Sequence, residues 1–472
     1  MGLREQDASG GSHRQLWVTL VSGVAVTLVL AACGTAPSAA RSVTGKPPAQ
    51  SVPVSSTPRS PTAGSPGSRV AVRDVYDVSF VRPSSGWGLA AERGSNRDVV
   101  VRSTDGGRRW RTWSAPLPPV GSHSYVSATS LVVLLAGNGV GSNVVDAVVS
   151  ATGSRSVLVS SDRLRSWHRV SLPAPVLAVA AAPGPRQPGT ATSLAVGVAN
   201  QPLWTLVGPL PASETAVQAG MIGLPGKLAV FQLYPALAAW KAYGTLAGPS
   251  WTGHSAVGHA QLVRLSANDG YVVVDGDVVD PASPAGYAQV TLVQRTTTDA
   301  FAWQPVPEPC GGLDLVTPLG AASLDDLWLG CAGEPGAGDQ TKTVERSTDA
   351  GTSWTTVWAG ADQGTGGTAG PEGVSGPATA TMTPGYLEAV VATSATSAYV
   401  ALGRGGLLHT TDSGKHWGVA VPHIGGSGGI QQLDVLGSAD AWALVGYGEL
   451  WATTDGKLWR EIAGVPPPAS AS

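Results

Sequence analysis

Several residue types and motifs are scarce in this 472-residue chain, and each scarcity excludes a class of function. Only three cysteines occur, so after Cys33 a single disulfide bond can form, between Cys310 and Cys331. Charged residues make up 13% and the formal net charge is −3, so no basic surface argues for nucleic acid. His254 and His259 have no cysteine or carboxylate suitably near to complete a zinc site, and no glycine-rich stretch continues as a phosphate-binding loop. We therefore expect neither a metal nor a cofactor.

Glycine and tryptophan are abundant instead, with 62 and 16 copies, and many of them belong to one repeated phrase. The phrase reads Ser/Thr-x-Asp-x-Gly-x-x-Trp in its full form. Its aspartate and tryptophan positions are Asp105 with Trp110, Asp162 with Trp167, Asp299 with Trp303, Asp349 with Trp354, Asp412 with Trp417, and Asp455 with Trp459. The copy at 162 lacks the glycine, and the copies at 299 and 455 are one residue shorter. Such a regular repeat predicts a fold built from similar units.

The phrase has the chemistry of a tight turn between two strands. An aspartate carboxylate accepts hydrogen bonds from nearby backbone N–H groups, and glycine supplies positive φ. The hydroxyl two residues earlier adds a further local bond, and the tryptophan covers the turn with its apolar ring. We therefore interpret these aspartates as structural and as spread over separate units, and not as a catalytic or calcium site.

The phrase resembles the Asp box of sialidase-like and related β-propellers. That resemblance implies an all-β fold, a β-propeller of four-stranded antiparallel blades. The residues agree, because a β-patterned run precedes each box and an aromatic strand lies upstream of several, as at Trp87, Trp328 and Trp442.

The spacing of the boxes predicts seven blades, with eight as the alternative. The long gap between Asp162 and Asp299 must hold a blade without a box, and runs at 176–179, 193–197 and 203–206 supply its strands. The stretch 212–257 is ambiguous, because its alanine-rich part, 235–242, favours a helix. Taken as an insertion, this stretch leaves seven blades, and taken as a blade it makes eight. The first and last blades must meet near 70–81.

The N-terminus has the features of a bacterial lipoprotein. Residues 1–32 read as a signal peptide, with basic residues, an apolar stretch and Leu-Ala-Ala-Cys ending at Cys33, which resembles a lipobox and implies lipid attachment to Cys33. An ordinary membrane anchor or a simple secretory signal is the alternative. Residues 33–69 form a Ser/Pro/Thr-rich disordered tether, 70–466 the propeller, and 467–472 a disordered tail. We expect an extracytoplasmic protein that is lipid-anchored to the cell membrane.

An exported protein meets an oxidising environment, which favours a disulfide bond between Cys310 and Cys331 on the first and second strands of one blade. Two free buried thiols are the alternative.

Sialidases would add an arginine triad, a Tyr–Glu nucleophile pair and a Phe-Arg-Ile-Pro phrase to the boxes. Here Phe80-Val81-Arg82-Pro83 has a changed order, which turns Arg82 to the opposite strand face. Tyr386 and Glu388 are close in sequence but are typical of a strand that packs on one side. The sequence therefore does not support sialidase activity, and we expect no enzyme.

A second resemblance is to the photosystem II assembly/stability factor family, through Gly86-Trp87-Gly88-Leu89 and through Ala441-Trp442-Ala443-Leu444 before Thr454-Asp455-Gly456. It implies a seven-bladed, non-enzymatic propeller on the extracytoplasmic side. We therefore expect a monomeric scaffold that binds a protein partner in the cell envelope. The alternative is a carbohydrate-binding or glycosidase-like propeller that acts on glycans.

Overall fold

The structure is a computed structural model that describes residues between 69 and 463, all within the second of two compact units, 59–472. Within these bounds it leaves out residues 71–73, 93–96, 115, 119–129, 136–143, 152, 182–195, 199–202, 212–225, 235–236, 238, 248–255, 280–286, 311–314, 334–339, 361–384, 404–405, 422–428, 438 and 447. In the described part, no helix has the length and apolar character needed to cross a membrane. Cys33, the tether and the predicted tail lie outside the described residues.

The described residues form seven sheets, each built around four antiparallel strands. Blade I contains β1 (Arg69–Val70), β2 (Val75–Arg82), β3 (Ser85–Ala91), β4 (Asp98–Ser103) and β5 (Trp110–Thr112). Blade II contains β6 (Ser130–Leu135), β7 (Val144–Ser150), β8 (Ser156–Ser160) and β9 (His168–Ser171). Blade III contains β10 (Val176–Ala180), β12 (Leu203–Pro211), β13 (Gly226–Tyr234) and β14 (Ala239–Thr245), with β11 (Val196–Val198) lying between β10 and β12 in the chain.

The remaining four blades follow one another without interruption. Blade IV contains β15 (Ala256–Arg264), β16 (Gly270–Val279), β17 (Tyr287–Thr296) and β18 (Gln304–Val306), and blade V contains β19 (Leu315–Ala321), β20 (Leu327–Ala332), β21 (Lys342–Ser347) and β22 (Thr355–Gly360). Blade VI contains β23 (Leu387–Ser394), β24 (Ser397–Leu402), β25 (Gly406–Thr410) and β26 (Gly418–Val421), and blade VII contains β27 (Ile430–Val435), β28 (Ala441–Val445), β29 (Glu449–Thr453) and β30 (Arg460–Ala463). The prediction of an all-β, seven-bladed propeller is confirmed.

Blade III corrects part of the sequence interpretation. The stretch 212–257 is not an insertion, because β13 and β14 are the third and fourth strands of this blade. The predicted helix at 235–242 is wrong from residue 239 onward, where β14 pairs with β13 over Tyr234↔Ala239 to Ala229↔Thr245. Strand pairing within the sheet overrides the local helix preference of alanine.

The second strand predicted for blade III, at 193–197, was also wrong. Only β11 is described there, and it pairs in parallel with β6 at the edge of blade II. The true second strand of blade III is β12, which pairs with both β10 and β13. A three-residue parallel pairing with a distant strand leaves no mark on local hydrophobic periodicity, so the sequence could not reveal it.

The apolar core is divided among the joints between neighbouring blades. Seven buried clusters occur among the described residues, and each joins two consecutive blades. One of them packs Phe80 and Trp110 of blade I against Trp442 and Leu450 of blade VII, with Phe80 and Trp442 stacked at a centroid distance of 3.8 Å. The ring is therefore closed by packing between two complete blades, at the position predicted from the sequence.

Glutamine side chains add a second kind of joint between first strands. Gln432 of β27 accepts a hydrogen bond from Val78 N and donates one to Val78 O, both at 2.8 Å. Gln261 of β15 makes the same pair of bonds with Leu319 N and O, at 2.6 and 3.0 Å. Each amide thus satisfies backbone groups at the free edge of a first strand, as a neighbouring strand would.

Candidate functional site

The Asp box of blade V shows how the repeated phrase folds. The Ser347 hydroxyl donates to Asp349 Oδ1 at 2.8 Å and accepts from Gly351 N at 2.9 Å. The same Oδ1 accepts from Ser353 N at 2.9 Å, and the Ser353 hydroxyl donates to Oδ2 at 2.6 Å. Both carboxylate oxygens are therefore used inside one eight-residue turn.

Four further boxes repeat this arrangement, one in each of blades I, II, VI and VII. In each of them the first carboxylate oxygen accepts backbone N–H groups two to four residues later: Asp105 from Arg109, Asp162 from Arg165 and Ser166, Asp412 from His416, and Asp455 from Lys457 and Leu458. The second oxygen is bound by a side chain in two of them, from Ser166 at 2.6 Å and from His416 Nδ1 at 2.5 Å. These five boxes thus form the same turn from different sequences.

In blades V, VI and VII these bonds lower the pKa of the box carboxylate and hold it ionised. Hydrogen bonds from the Ser353 side chain, the Ser353 amide and the Ser347 hydroxyl lower the pKa of Asp349 to about 2. At Asp412, desolvation would raise the pKa, but hydrogen bonds from the His416 amide and ring and from Thr410 outweigh it and lower the pKa to about 2. Backbone hydrogen bonds likewise lower the pKa of Asp455. A carboxylate held in this way is a poor proton donor, which agrees with a structural role.

Two successive residues in each full-length box adopt the left-handed conformation. In blade V these are Ala350 and Gly351, with φ of 60° and 81°, and in blade VI they are Ser413 and Gly414, with 69° and 83°. The second position also lies against the preceding blade, because a Cβ on Gly351 would come within 2.2 Å of Val306 Cγ1. Glycine is therefore required there both by backbone conformation and by space.

The first of these residues bonds to the other turn at the same end of the blade. Its amide donates to a carbonyl oxygen in the turn between the first and second strands: Gly106 to Ser84, Ala350 to Asp325, Ser413 to Thr396, and Gly456 to Ala439. The box thus ties the outer hairpin of a blade to the inner one.

The box tryptophans reach the preceding blade as well as their own turn. Trp354 Nε1 donates to Pro307 O of blade IV, and Trp417 Nε1 donates to Val357 O of blade V, both at 3.0 Å. Trp110 packs into the closing cluster, and Trp459 lies edge-on to Tyr399 of blade VI at 5.9 Å. Trp303 is buried and donates to Ala300 O in its own turn, and Trp167 packs against the cluster between blades I and II.

The box of blade IV departs from this pattern. Asp299 Oδ1 accepts from Trp204 Nε1 of blade III at 2.9 Å and from Arg264 Nη2 at 3.1 Å. Arg264 is fully buried and lies 4.4 Å from the centre of the Trp204 ring, and burial lowers its pKa to about 10. This carboxylate therefore neutralises a buried guanidinium, and in the turn itself Thr298 Oγ1 accepts from Ala302 N at 2.9 Å in the place of the aspartate.

All six boxes lie at one face of the ring, which we call the box face. In each of five joints, an aromatic side chain near the box end of one blade reaches the corresponding end of the next: Trp113 to Arg163 O, Trp204 to Asp299, Tyr271 to Leu324 O, Tyr399 to Gly456 O, and Trp442 to Gly106 O. The box aspartates consequently stand one in each of six blades around the ring, and blade III has none.

Two arginines that precede boxes in the sequence are fixed in separate blades. Arg102 lies between Trp87 and Trp113 at about 5 Å from each ring centre in blade I, and Arg346 lies over Trp328 in blade V. Each is the cross-strand partner of its second-strand tryptophan. These arginines are repeat positions that support strands, and the described structure does not bring them together.

The residues compared with sialidase motifs are also separate from these arginines. Arg82 is exposed at the end of β2. In blade VI, Glu388 is exposed at the start of β23, and Tyr386 is half-buried just before it.

A groove lies on the box face between the boxes of blades VI and VII. Its volume is about 580 Å³, and its lining includes His409, Asp412, His416, Asp455 and Lys457. At its base Ser397 Oγ lies 3.1 Å from His409 Nε2, and burial lowers the pKa of His409. The Ser397 side chain is itself buried, and His409 stacks on Tyr399 at 4.1 Å, where other blades place arginine on tryptophan. We therefore interpret this pair as a structural variant of the cross-strand pair.

The structure joins Cys310 and Cys331 by a disulfide bond, with 5.4 Å between their Cα atoms. Cys331 lies on β20, the second strand of blade V. Cys310 precedes β19 and is not part of it, which corrects the predicted placement on the first strand. The bond therefore connects the segment that leaves blade IV to the interior of blade V.

Comparisons with known proteins give likenesses of fold. No family model matches the chain, and no curated protein matches it. Among solved structures it is similar to YCF48 bound to D1 peptide (14% identity, 83% of this chain and 97% of that chain, TM-score 0.45) and to YCF48 from Cyanidioschyzon merolae (13%, 83% and 98%, 0.44). It is also similar to the β-propeller domain of the Trilobed protease from Pyrococcus furiosus (8%, 84% and 99%, 0.44). At these identities and TM-scores, the likenesses concern the fold alone.

Proposed function

We propose that the chain is a lipid-anchored, non-catalytic propeller that binds a protein partner in the bacterial cell envelope. The observation that carries this proposal is the use of the box residues. Five of the six box carboxylates accept hydrogen bonds within their own turns, and the sixth holds Arg264. The most conspicuous polar residues of the chain therefore build a frame, and recognition is left to the side chains at the turn tips.

A rigid ring with variable turns on one face suits recognition of another macromolecule. Side chains at equivalent turn positions differ from blade to blade, as with Arg109, Ser353 and His416, while their backbone bonds are the same. Surface turns held by a rigid scaffold are a common location for binding residues. Because a single ring carries the whole box face, we expect the protein to bind its partner as a monomer.

The anchor and the extracytoplasmic location remain part of the proposal. They rest on the Leu-Ala-Ala-Cys sequence that ends at Cys33 and on the Ser/Pro/Thr-rich chain that follows it. The disulfide bond between Cys310 and Cys331 supports the extracytoplasmic location independently, because such bonds persist in oxidising compartments. Cys33→Ser should release the protein from membranes, and fractionation of cells that express each form tests this.

A glycan-binding function is the second candidate, and the groove between blades VI and VII favours it. The groove combines the Trp417 ring with carboxylates, hydroxyls and Lys457, which are residue types that bind sugars. Titration of the full chain with envelope glycan fragments, monitored by tryptophan fluorescence, distinguishes the two. Saturable binding that Trp417→Ala abolishes would favour the glycan.

Site-specific photo-crosslinking in cells tests the protein-binding proposal. A photoreactive residue at Thr352 of blade V or Phe301 of blade IV lies on the box face, whereas one at Glu449, at the start of β29, lies at the opposite end of its blade. We expect a crosslinked protein of one defined mass from the box-face positions and none from Glu449. Crosslinks only from Glu449, or equal crosslinks from all three, would contradict a partner on the box face.

A further inference from the structure

The box turns carry basic side chains in one sector of the ring. Positions just after the box aspartates hold lysine or arginine in four blades, and we call these residues the basic arc: Lys415 of blade VI, Lys457 of blade VII, Arg108 and Arg109 of blade I, and Arg163 and Arg165 of blade II. Among the described residues, no carboxylate forms an ion pair with any of these six side chains. All six are exposed.

The four blades of the basic arc are consecutive in the ring, because the closing joint places blade VII beside blade I. The same turn positions in blades IV and V are uncharged, with Phe301 and Ala302 in one and Thr352 and Ser353 in the other. The neighbouring turns between first and second strands carry Asp269, Asp325 and Asp326 in these two blades, and Asp440 alone in blades VI, VII and I. A chain of net charge −3 thus concentrates positive charge on one sector of the box face.

Large apolar side chains are exposed beside these charges. Leu458 follows Lys457 in the box of blade VII and is 54% exposed. Trp113 is 41% exposed, and its indole donates to Arg163 O at the joint between blades I and II. Basic residues interspersed with exposed tryptophan and leucine are the composition of surfaces that bind an anionic bilayer at the headgroup level.

The path of the chain leads to the same sector. The described chain begins with β1, which pairs with the outer strand of blade I through Arg69↔Arg111 and Val70↔Trp110. The segment from Cys33 to the ring is therefore covalently attached at a blade of the basic arc.

From these observations we propose that the basic arc docks on an anionic phospholipid bilayer, so that this sector of the box face lies at the membrane and the turns of blades IV and V stay outside the contact. The charges are distributed as one or two per blade over four blades, which matches a laterally extended layer of phosphates. An acidic segment of a partner protein would instead need a continuous channel of positive charge. This docking rests on the membrane anchor of the proposed function and adds a second, electrostatic contact between the protein and the bilayer.

Fluorescence quenching in reconstituted vesicles tests the orientation. The full-length lipidated chain carries a fluorophore on Leu458→Cys, or on Glu449→Cys as the control for the opposite face. The vesicles contain a headgroup quencher in phosphatidylcholine alone or with phosphatidylglycerol. We expect the probe at position 458 to be quenched only when phosphatidylglycerol is present, and the probe at 449 not to be quenched. Salt at 0.5 M should abolish the effect, because it shortens the Debye length to roughly half of its physiological value.

Charge variants supply the matched comparison. Arg109→Ser with Lys457→Ser should lower the ratio of docked to undocked protein about 25-fold, at about fivefold for each charge near the surface. Arg111→Ser with Arg460→Ser removes the same charge from the outer strands β5 and β30 of the same two blades. For this control we expect a much smaller decrease in the ratio of docked to undocked protein.

Three outcomes would overturn the inference. They are quenching that does not depend on phosphatidylglycerol, an equal loss in both double variants, or binding of a polyglutamate peptide in place of vesicles. Failure of the chain to remain in vesicles of either composition would instead contradict the proposed anchor.

Discussion

Trp442 Nε1 donates a hydrogen bond to the carbonyl oxygen of Gly106 at 3.1 Å, although the two residues are 336 positions apart. The bond joins the second strand of the last blade to the box of the first. Tyr399 makes the equivalent bond to Gly456 O at the preceding joint. The closing joint therefore repeats the contacts found inside the ring, which explains how two complete blades can close it without sharing a strand.

The hydrogen bonds of one box predict a graded loss of stability. Asp162 accepts from the Arg165 and Ser166 amides at 2.9 Å and from the Ser160 and Ser166 hydroxyls at 3.0 and 2.6 Å. Asp162→Ala should lower the free energy of unfolding by about 1–3 kcal/mol because these donors lose their acceptor. Ser166→Ala removes one bond and should cost about 0.5–1.5 kcal/mol. Urea unfolding measures both, and an unchanged Asp162→Ala variant would argue against the structural role.

Substitutions at two neighbouring residues in the box of blade V should change the stability of the protein in opposite directions. Gly351→Ala places a methyl group within 2.2 Å of Val306 at a φ of 81°, and it should destabilise the protein by roughly 2–4 kcal/mol. Ala350→Gly relieves a left-handed alanine at a φ of 60° and should stabilise it by about 0.5–1 kcal/mol. Thermal unfolding of the two variants side by side checks the signs. Destabilisation by Ala350→Gly would mean that this backbone conformation is not strained.

The lowered pKa values of the box aspartates predict a loss of stability in acid. A carboxylate with a folded pKa of about 2 and an ordinary value of 3.8 stabilises the fold above the ordinary value, and this contribution disappears as the pH falls through about 2. Asp349→Asn with Asp412→Asn should be less stable than the parent at pH 6 and should lose less stability between pH 4 and 2. Urea midpoints at several pH values measure this difference. Urea midpoints that fall equally with pH in the two proteins would contradict this prediction.

The disulfide bond should contribute measurably to the stability of the ring. It closes a loop with a sequence separation of 21 residues, and the loss of such a cross-link costs about 3 kcal/mol through the entropy of the unfolded chain. Cys310→Ser with Cys331→Ser should therefore unfold at a lower temperature than the oxidised parent. Addition of a reductant should lower the parent to the same temperature and leave the variant unchanged. Equal melting of all samples would mean that the bond is absent in solution.

Much of this fold could be predicted because it is encoded locally. The hydroxyl, the carboxylate and the glycine of a box such as 347–354 act within one turn, so their spacing alone predicts the hairpin. The number of blades and the closing position follow from counting such units. The pairs of a second-strand tryptophan with a third-strand arginine could be predicted only in part. The sequence shows that both residues are present, but their contact depends on the register of the two strands.

The interpretations that failed depend on contacts between distant residues. The alanines near 239 favour a helix by themselves, yet β14 is fixed by its pairing with β13. β11 pairs with a strand of the preceding blade, which no local pattern records. The amide of Gln432 bonds to Val78 across the closing joint, and nothing in the sequence near either residue indicates it. Non-glycine residues with positive φ, such as Arg163 and Leu164, likewise became evident only from the backbone.

Distances between spin labels on the boxes test most directly whether the boxes build a ring. Labels at Arg109, Arg165, Thr352 and Lys457, each replaced by cysteine in a Cys33→Ser chain, can be measured in pairs by double electron–electron resonance. The native disulfide bond keeps Cys310 and Cys331 from reacting with the label. The pairs of adjacent blades, 457 with 109 and 109 with 165, should give shorter distances than 352 with 109 or 352 with 165. Four positions that are all equally close to one another would show boxes gathered around a single site and would contradict the account.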